Sequence, residues 1–157
     1  MAYCPKRILI VEDNTTDARL LKDILEASGY ETLQTGDGLE AISLASAYPP
    51  NLILMDLQLP EISGLEVTRR LKDDDRSRHI PIVAVTAFAM GWHEREALDS
   101  GCDAYISKPI SILGFLSTVE SFLPPAASPT SETPLRNDLP RGWAAVSERF
   151  PLFIGNQ

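Results

Sequence analysis

Five positions along this chain carry groups that could act together: the carboxylates of Glu12, Asp13 and Asp56, the hydroxyl of Thr86 and the ammonium of Lys108. Each stands at or directly behind the end of a short apolar run. Ile8 to Val11 precedes Glu12-Asp13, Leu52 to Met55 precedes Asp56, Ile82 to Thr86 ends in the hydroxyl, and Ala104 to Ile106 precedes Ser107-Lys108-Pro109. If those runs are strands of one parallel sheet, all five groups meet at its carboxyl edge, where open α/β sheets bind ligands. Three carboxylates held close together repel one another, and a single Lys supplies only one compensating charge. A hard divalent cation is therefore implied. Mg²⁺ suits the set, because it takes oxygen ligands, keeps several waters and is commonly shared between carboxylates and phosphate oxygens. With a cation on one side, Lys108 on the other and Thr86 donating, a phosphoryl group carried on the central carboxylate, Asp56, would be satisfied. Carboxylates are known nucleophiles toward phosphorus, so the chemistry in view is formation of an aspartyl phosphate.

The elements that must position these groups can be read from the same sequence. The runs Ile8 to Val11, Thr32 to Thr35, Leu52 to Met55, Ile82 to Thr86 and Ala104 to Ile106 predict five short strands, the second the weakest in pattern. Between them lie stretches with helical spacing, clearest at Leu20, Leu21, Ile24, Leu25 and at Ile112, Phe115, Leu116, Val119, Phe122, Leu123. Asn14-Thr15-Thr16-Asp17 offers a side-chain cap for the first helix, Gly29 a left-handed end to it, Pro49-Pro50 a stop for the second and Gly101 one for the fourth. Alternating β and α elements with nearly continuous apolar central strands predict a parallel sheet covered on both faces, a three-layer α/β/α sandwich.

Length and charge narrow the remaining possibilities. The 157 residues suit one ordinary domain with a tail. Fourteen Lys and Arg against 22 Asp and Glu leave a net charge of −8, the reverse of a nucleic-acid or anionic-membrane footprint. Cys4 and Cys102 form neither a disulfide framework nor a zinc pattern, and no signal-like or membrane-spanning stretch opens the chain, so a reducing, cytoplasmic setting is expected. Composition changes after Leu123. Six of the 12 prolines fall in residues 124–157, where a Pro-rich linker leads to a small apolar cluster of Trp143, Val146, Phe150, Leu152, Phe153 and Ile154. Residues 1–123 are thus expected to form the domain and 124–157 a linker with a short apolar extension. Asp73-Asp74-Asp75 with Arg76 and Arg78 reads as a solvated charge run, Cys102 as a small core residue, and His79 and His93 as isolated side chains with no metal or catalytic role.

Taken together, Ile8-Leu9-Ile10-Val11-Glu12-Asp13-Asn14, Leu54-Met55-Asp56-Leu57-Gln58-Leu59-Pro60 with Gly64, Val83-Ala84-Val85-Thr86-Ala87 and Tyr105-Ile106-Ser107-Lys108-Pro109-Ile110 resemble the CheY-like receiver domain of two-component response regulators. The resemblance spans about residues 6 to 123. Within the family, Leu54 to Thr68 and Ala84 to Met90 look most like the single-domain DivK-type regulators of bacterial cell-cycle kinases. It implies a flavodoxin-like strand order 2-1-3-4-5 and phosphorylation of Asp56. It further implies Mg²⁺ held by Asp13, Asp56 and the backbone carbonyl of Gln58, with Glu12 acting through water. Lys108 would pair with the phosphoryl oxygens, Thr86 and Tyr105 would be the switch residues, and Lys108-Pro109 would be a cis peptide. The extension beyond the fifth helix departs from the DivK pattern.

The function this predicts is that of a stand-alone phospho-acceptor. A sensor histidine kinase donates the phosphoryl group, and the face made by the fourth helix, fifth strand and fifth helix then binds a partner. No helix-turn-helix or catalytic module fits in residues 124–157, so output by protein contact is expected, with a homodimer as one form of it and neither nucleic acid nor membrane as a direct partner. Control of a kinase and onward transfer to a histidine phosphotransfer protein are both compatible. The chain is not expected to be an enzyme, apart from promoting its own Mg²⁺-dependent phosphorylation and dephosphorylation. An aspartate-nucleophile phosphatase is the rival from another class, but such enzymes need a second acid two positions after the nucleophile, where this chain has Gln58. A degenerate scaffold would lack site residues, and none is missing. Phe88, placed where a hydrolytic water would approach, is expected to slow loss of the phosphoryl group.

Overall fold

The strands form because their residues are aliphatic on both faces and can be buried twice. β1 (Arg7–Val11), β3 (Leu52–Met55) and β4 (Ile82–Thr86) bury nearly every side chain, as strands covered by helices on both sides must. β2 (Glu31–Thr35) starts one residue earlier than its apolar pattern suggests, and only Thr35 in it is fully buried. β5 (Ala104–Ser107) is likewise only partly covered. The sheet is entirely parallel, in the order β2-β1-β3-β4-β5, so the half-buried strands are its edges. That position explains why β2 carries the weakest sequence signal of the five.

This computed structural model describes residues 5–87 and 91–123, with backbone only for 91–93. The chain divides into two units, Met1–Pro109 and Ile110–Gln157. The first contains the sheet and α1 (Thr15–Ala27), α2 (Gly38–Ala47), α3 (Gly64–Asp73) and α4 (Gly91–Ser100); the second contains α5 (Ile112–Phe122). Cys4, Phe88 and the expected linker and extension at 124–157 lie outside the described residues.

Local chemistry places the helix ends. Asn14, Asp37, Ser63 and Ser111 each accept backbone N–H bonds with their side chains at the starts of α1, α2, α3 and α5, satisfying donors that a helix cannot pair internally. Gly29 follows α1 at φ 95°, the left-handed conformation expected of it. The charge run after α3 folds back on itself, with Arg76 paired to Asp74 and Arg78 to Asp75.

Alternation along the strands divides the core of the first unit. Leu9, Val11, Ile53, Met55, Ile82 and Ala84 pack with Ala41 and Ala45 of α2, Val67 and Leu71 of α3 and Ala97 of α4. The intervening residues Ile8, Ile10, Leu52, Leu54, Val83 and Val85 are just as buried and face the opposite layer, to which α1 brings Ala18, Leu21 and Leu25. Cys102 belongs to the first cluster, with its sulfur 3.8 Å from the Thr68 hydroxyl, and burial raises its thiol pKa. At the amino ends of the last strands, Lys72 Nζ donates to the carbonyls of Arg78 and Ile80 and to Asp103, at 3.3, 2.9 and 3.1 Å. Asp103 also accepts the Ile82 amide, so one ammonium ties the end of α3 to the starts of β4 and β5. In the second unit, α5 is amphipathic and buries Phe115 and Val119.

Candidate functional site

Parallel pairing carries β1, β3, β4 and β5 to one edge, and their next residues bring the chemistry. The Asp56 amide donates to the Val11 carbonyl at 2.9 Å, so Asp56 emerges beside Glu12 and Asp13. Oxygens of Glu12, Asp13 and Asp56 lie within 4.8 Å of one another. Glu12 and Asp56 are almost wholly buried, while Asp13 is exposed. On the other side of the cluster, the Lys108 amide donates to the Thr86 carbonyl at 2.8 Å, which swings the Lys108 side chain across the edge. Its Nζ donates to Glu12 Oε1 at 2.7 Å and lies 3.9 Å from Asp56 Oδ2. The Lys108–Pro109 peptide bond is cis.

Backbone amides fix the orientation of the carboxylates. The Gln58 amide donates to Asp56 Oδ1 at 3.0 Å, leaving Oδ2 on the Lys108 side, and the Asn14 amide donates to Glu12 Oε2 at 3.2 Å. Just beyond Asp56, Gly64 opens α3 where there is no room for a side chain: a Cβ there would sit 2.2 Å from the Asp56 carbonyl oxygen. That close approach seats the start of α3 against the strand that bears Asp56.

The electrostatics are those of a site built for more positive charge than it holds. Burial, joined by the neighbouring Asp56, pushes the Glu12 carboxyl up to about 7, even though Lys108 and the Asn14 amide favour its ionised form. Burial alone would depress the Lys108 ammonium; its hydrogen bonds to Glu12 and Asp17 and the charges of Asp56 and Glu12 more than offset that and raise its pKa. A divalent cation fits this donor set, since all three side chains offer hard oxygen ligands and the repulsion among them is what a cation would relieve.

The other residues singled out in the sequence lie close by, in different roles. Thr86, fully buried at the end of β4, is in register with Ser107 on β5. Tyr105 stands opposite Ala84, two residues back from that edge, and packs part-buried against the α2–α4 core cluster; burial, with the Glu94 charge, raises its pKa. Asp17, which the sequence reading assigns only to a capping stretch, is a fourth carboxylate of the site: Lys108 Nζ donates to its Oδ2 at 2.9 Å. The sequence did contain a signal for it. A helix capped by Asn14 at the end of β1 must lay its first turn over the carboxyl edge of the sheet, and Asp17 is in that turn. No helix among the described residues is long and apolar enough to cross a membrane.

Comparisons with known proteins agree with this geometry. The family model of the response regulator receiver domain matches residues 8–120. The polar-differentiation response regulator DivK of Brucella anthropi is 59% identical over 119 residues, covering 76% of this chain and 97% of the relative. Among solved structures, a putative response regulator from Chloroflexus aurantiacus is similar at a TM-score of 0.74 and 26% identity, covering 76% of this chain and 98% of that one. The receiver domain of a sensor histidine kinase from Pseudomonas aeruginosa, which has a magnesium ion coordinated in its active-site cleft, is similar at a TM-score of 0.71 and 28% identity, with coverage of 76% and 98%.

Proposed function

The chain belongs to the response regulator receiver domain family, and from that premise we propose that it is a single-domain phospho-acceptor whose output is contact with another protein. The observation that carries the reading is the convergence, at one sheet edge, of one exposed carboxylate, two buried ones and a lysine that reaches both of the buried pair. Asp13, Asp56 and the Gln58 carbonyl would hold Mg²⁺, with Glu12 bound through water. Bound there, the ion supplies charge neutralisation for an incoming phosphoryl group and draws it toward the carboxylates.

The chain's own groups do the rest. The Gln58 amide steadies Asp56 Oδ1, which leaves Oδ2, on the Lys108 side, as the nucleophile. Oδ2 attacks the phosphorus of a phosphohistidine on a sensor kinase; the P–N bond breaks as the acyl phosphate forms, and the imidazole departs with the electron pair. Lys108 neutralises one phosphoryl oxygen, and the Thr86 hydroxyl at the end of β4 turns toward another. Catalysis in such transfers is mostly positioning and charge stabilisation, which is why no general base is needed and why the chain acts as a signal carrier with only self-directed chemistry. Movement of Thr86 and Tyr105 then changes the surface of α4 and β5, by favouring a conformation already sampled.

The resemblance of the site motifs to DivK-type regulators of cell-cycle kinases favours a partner that is itself a kinase over a relay to a histidine phosphotransfer protein, in a cytoplasmic setting. We read residues 1–123 as the receiver and 124–157 as a tether with an apolar extension. Intact-mass spectrometry after incubation with acetyl phosphate tests the core of this reading. One Mg²⁺-dependent, base-labile adduct on the wild type and none on Asp56→Asn is the expected outcome. A folded wild type that gains no adduct would overturn it.

A further inference from the structure

Lys108 is held from two sides, and the geometry is unequal. Its Nζ is 2.7 Å from Glu12 and 2.9 Å from Asp17, both charge-assisted hydrogen-bond distances, but 3.9 Å from Asp56 Oδ2. Two of its three N–H donors are therefore spent away from the carboxylate that the proposed function makes the phospho-acceptor. Asp17 belongs to α1, is about a third exposed, and is not one of the clustered carboxylates. An oxygen carried on Asp56 would compete with Asp17 for the charge of this ammonium.

We infer that Asp17 is a positioning residue that holds Lys108 back from Asp56 in the unphosphorylated chain and so sets how tightly the site binds a phosphoryl group. The inference rests on the phospho-acceptor reading. Asp17 favours the empty site in two ways: its pairing with Lys108 is weakened when Lys108 turns to the phosphoryl oxygens, and its own charge repels them. The same pull leaves the three clustered carboxylates less neutralised, which favours a divalent cation. Asp17 thus acts in opposite directions on the two ligands, and that opposition separates positioning from a merely structural contact, whose loss would weaken both.

The test uses the full chain, with Mg²⁺ alone and with beryllofluoride, a phosphoryl analogue, at saturating Mg²⁺. Asp17→Asn is expected to bind Mg²⁺ more weakly and beryllofluoride more tightly than wild type, each by about three- to fivefold, the scale of a partly exposed ion pair. In spectra of ¹⁵N- and ¹³C-labelled lysine, the Lys108 side-chain signals of ligand-free Asp17→Asn should already lie part of the way toward those of the wild-type beryllofluoride complex. Asp17→Glu, which keeps the charge, should stay nearer wild type in all three readouts and serves as the second variant if the amide perturbs folding. An unmoved Lys108 signal, or anion affinity that is unchanged or falls along with Mg²⁺ affinity, would overturn the role of Asp17 while leaving the phospho-acceptor reading in place. Wild type that binds no beryllofluoride in the presence of Mg²⁺ would overturn both.

Discussion

A carboxyl driven toward neutrality by burial and a like-charged neighbour binds a proton more readily in the folded chain than in the unfolded one. For Glu12 the folded value is about 7 against an ordinary 4.5, so between those values the native state holds more protons and stability falls as pH rises. Metal-free wild type should therefore melt several degrees lower at pH 7.5 than at pH 5. Glu12→Gln should flatten the slope, and Mg²⁺ should restore most of the loss at the upper end. Thermal melts of both proteins with chelator and with Mg²⁺ check this; parallel slopes would remove Glu12 as the cause. Relief of the same repulsion predicts that Asp56→Asn, besides losing the mass adduct, is more stable than wild type at pH 7 without metal, by about 1 kcal/mol. Chemical denaturation measures that difference.

Among the elements, α3 is the one most sharply constrained by the site it serves. Gly64 lies against the Asp56 carbonyl with no room for a methyl group, so Gly64→Ala must push the start of α3 away from β3. A loss of about 2 kcal/mol is expected from such overpacking, together with weaker beryllofluoride binding, because the Gln58 amide that steadies Asp56 lies in the same connection. At the opposite end of the sheet, Lys72→Met removes the ammonium shared by two carbonyls and Asp103, and should cost about 1 to 2 kcal/mol while leaving anion affinity unchanged. Denaturation and binding, measured on both variants, separate the two ends. The strands and their terminal groups were legible in the sequence because the central runs are apolar almost throughout and stop abruptly at Glu12 and Asp56 or end in Thr86. β2 was faint because an edge strand buries only half of itself. Asp17 could not be recognised as a partner of Lys108 from spacing alone, since that pairing depends on how α1 is turned above the sheet.

At the scale of the whole molecule, the proposed output is an exchange of partners governed by phosphorylation. Pull-downs with and without beryllofluoride should recover different proteins, and Thr86→Ala should reduce the difference while keeping the mass adduct; identical recoveries would count against a switch. The resemblance of the site motifs pointed to the family because several of them recur in the right order at strand ends, a stricter condition than any one motif. The identity of the partner was not legible, because surface residues that choose a partner leave no periodic trace.

The pairing of Lys108 with Glu12 joins residues 96 positions apart, and it closes only when β5 has taken its place at the last edge of the sheet. A chain still emerging from the ribosome, or one cut short before β5, carries Asp56 but lacks the cation that completes its surroundings. On the proposed reading, a chain lacking β5 should therefore gain no phosphoryl adduct, because the ammonium that would neutralise the incoming oxygens is missing.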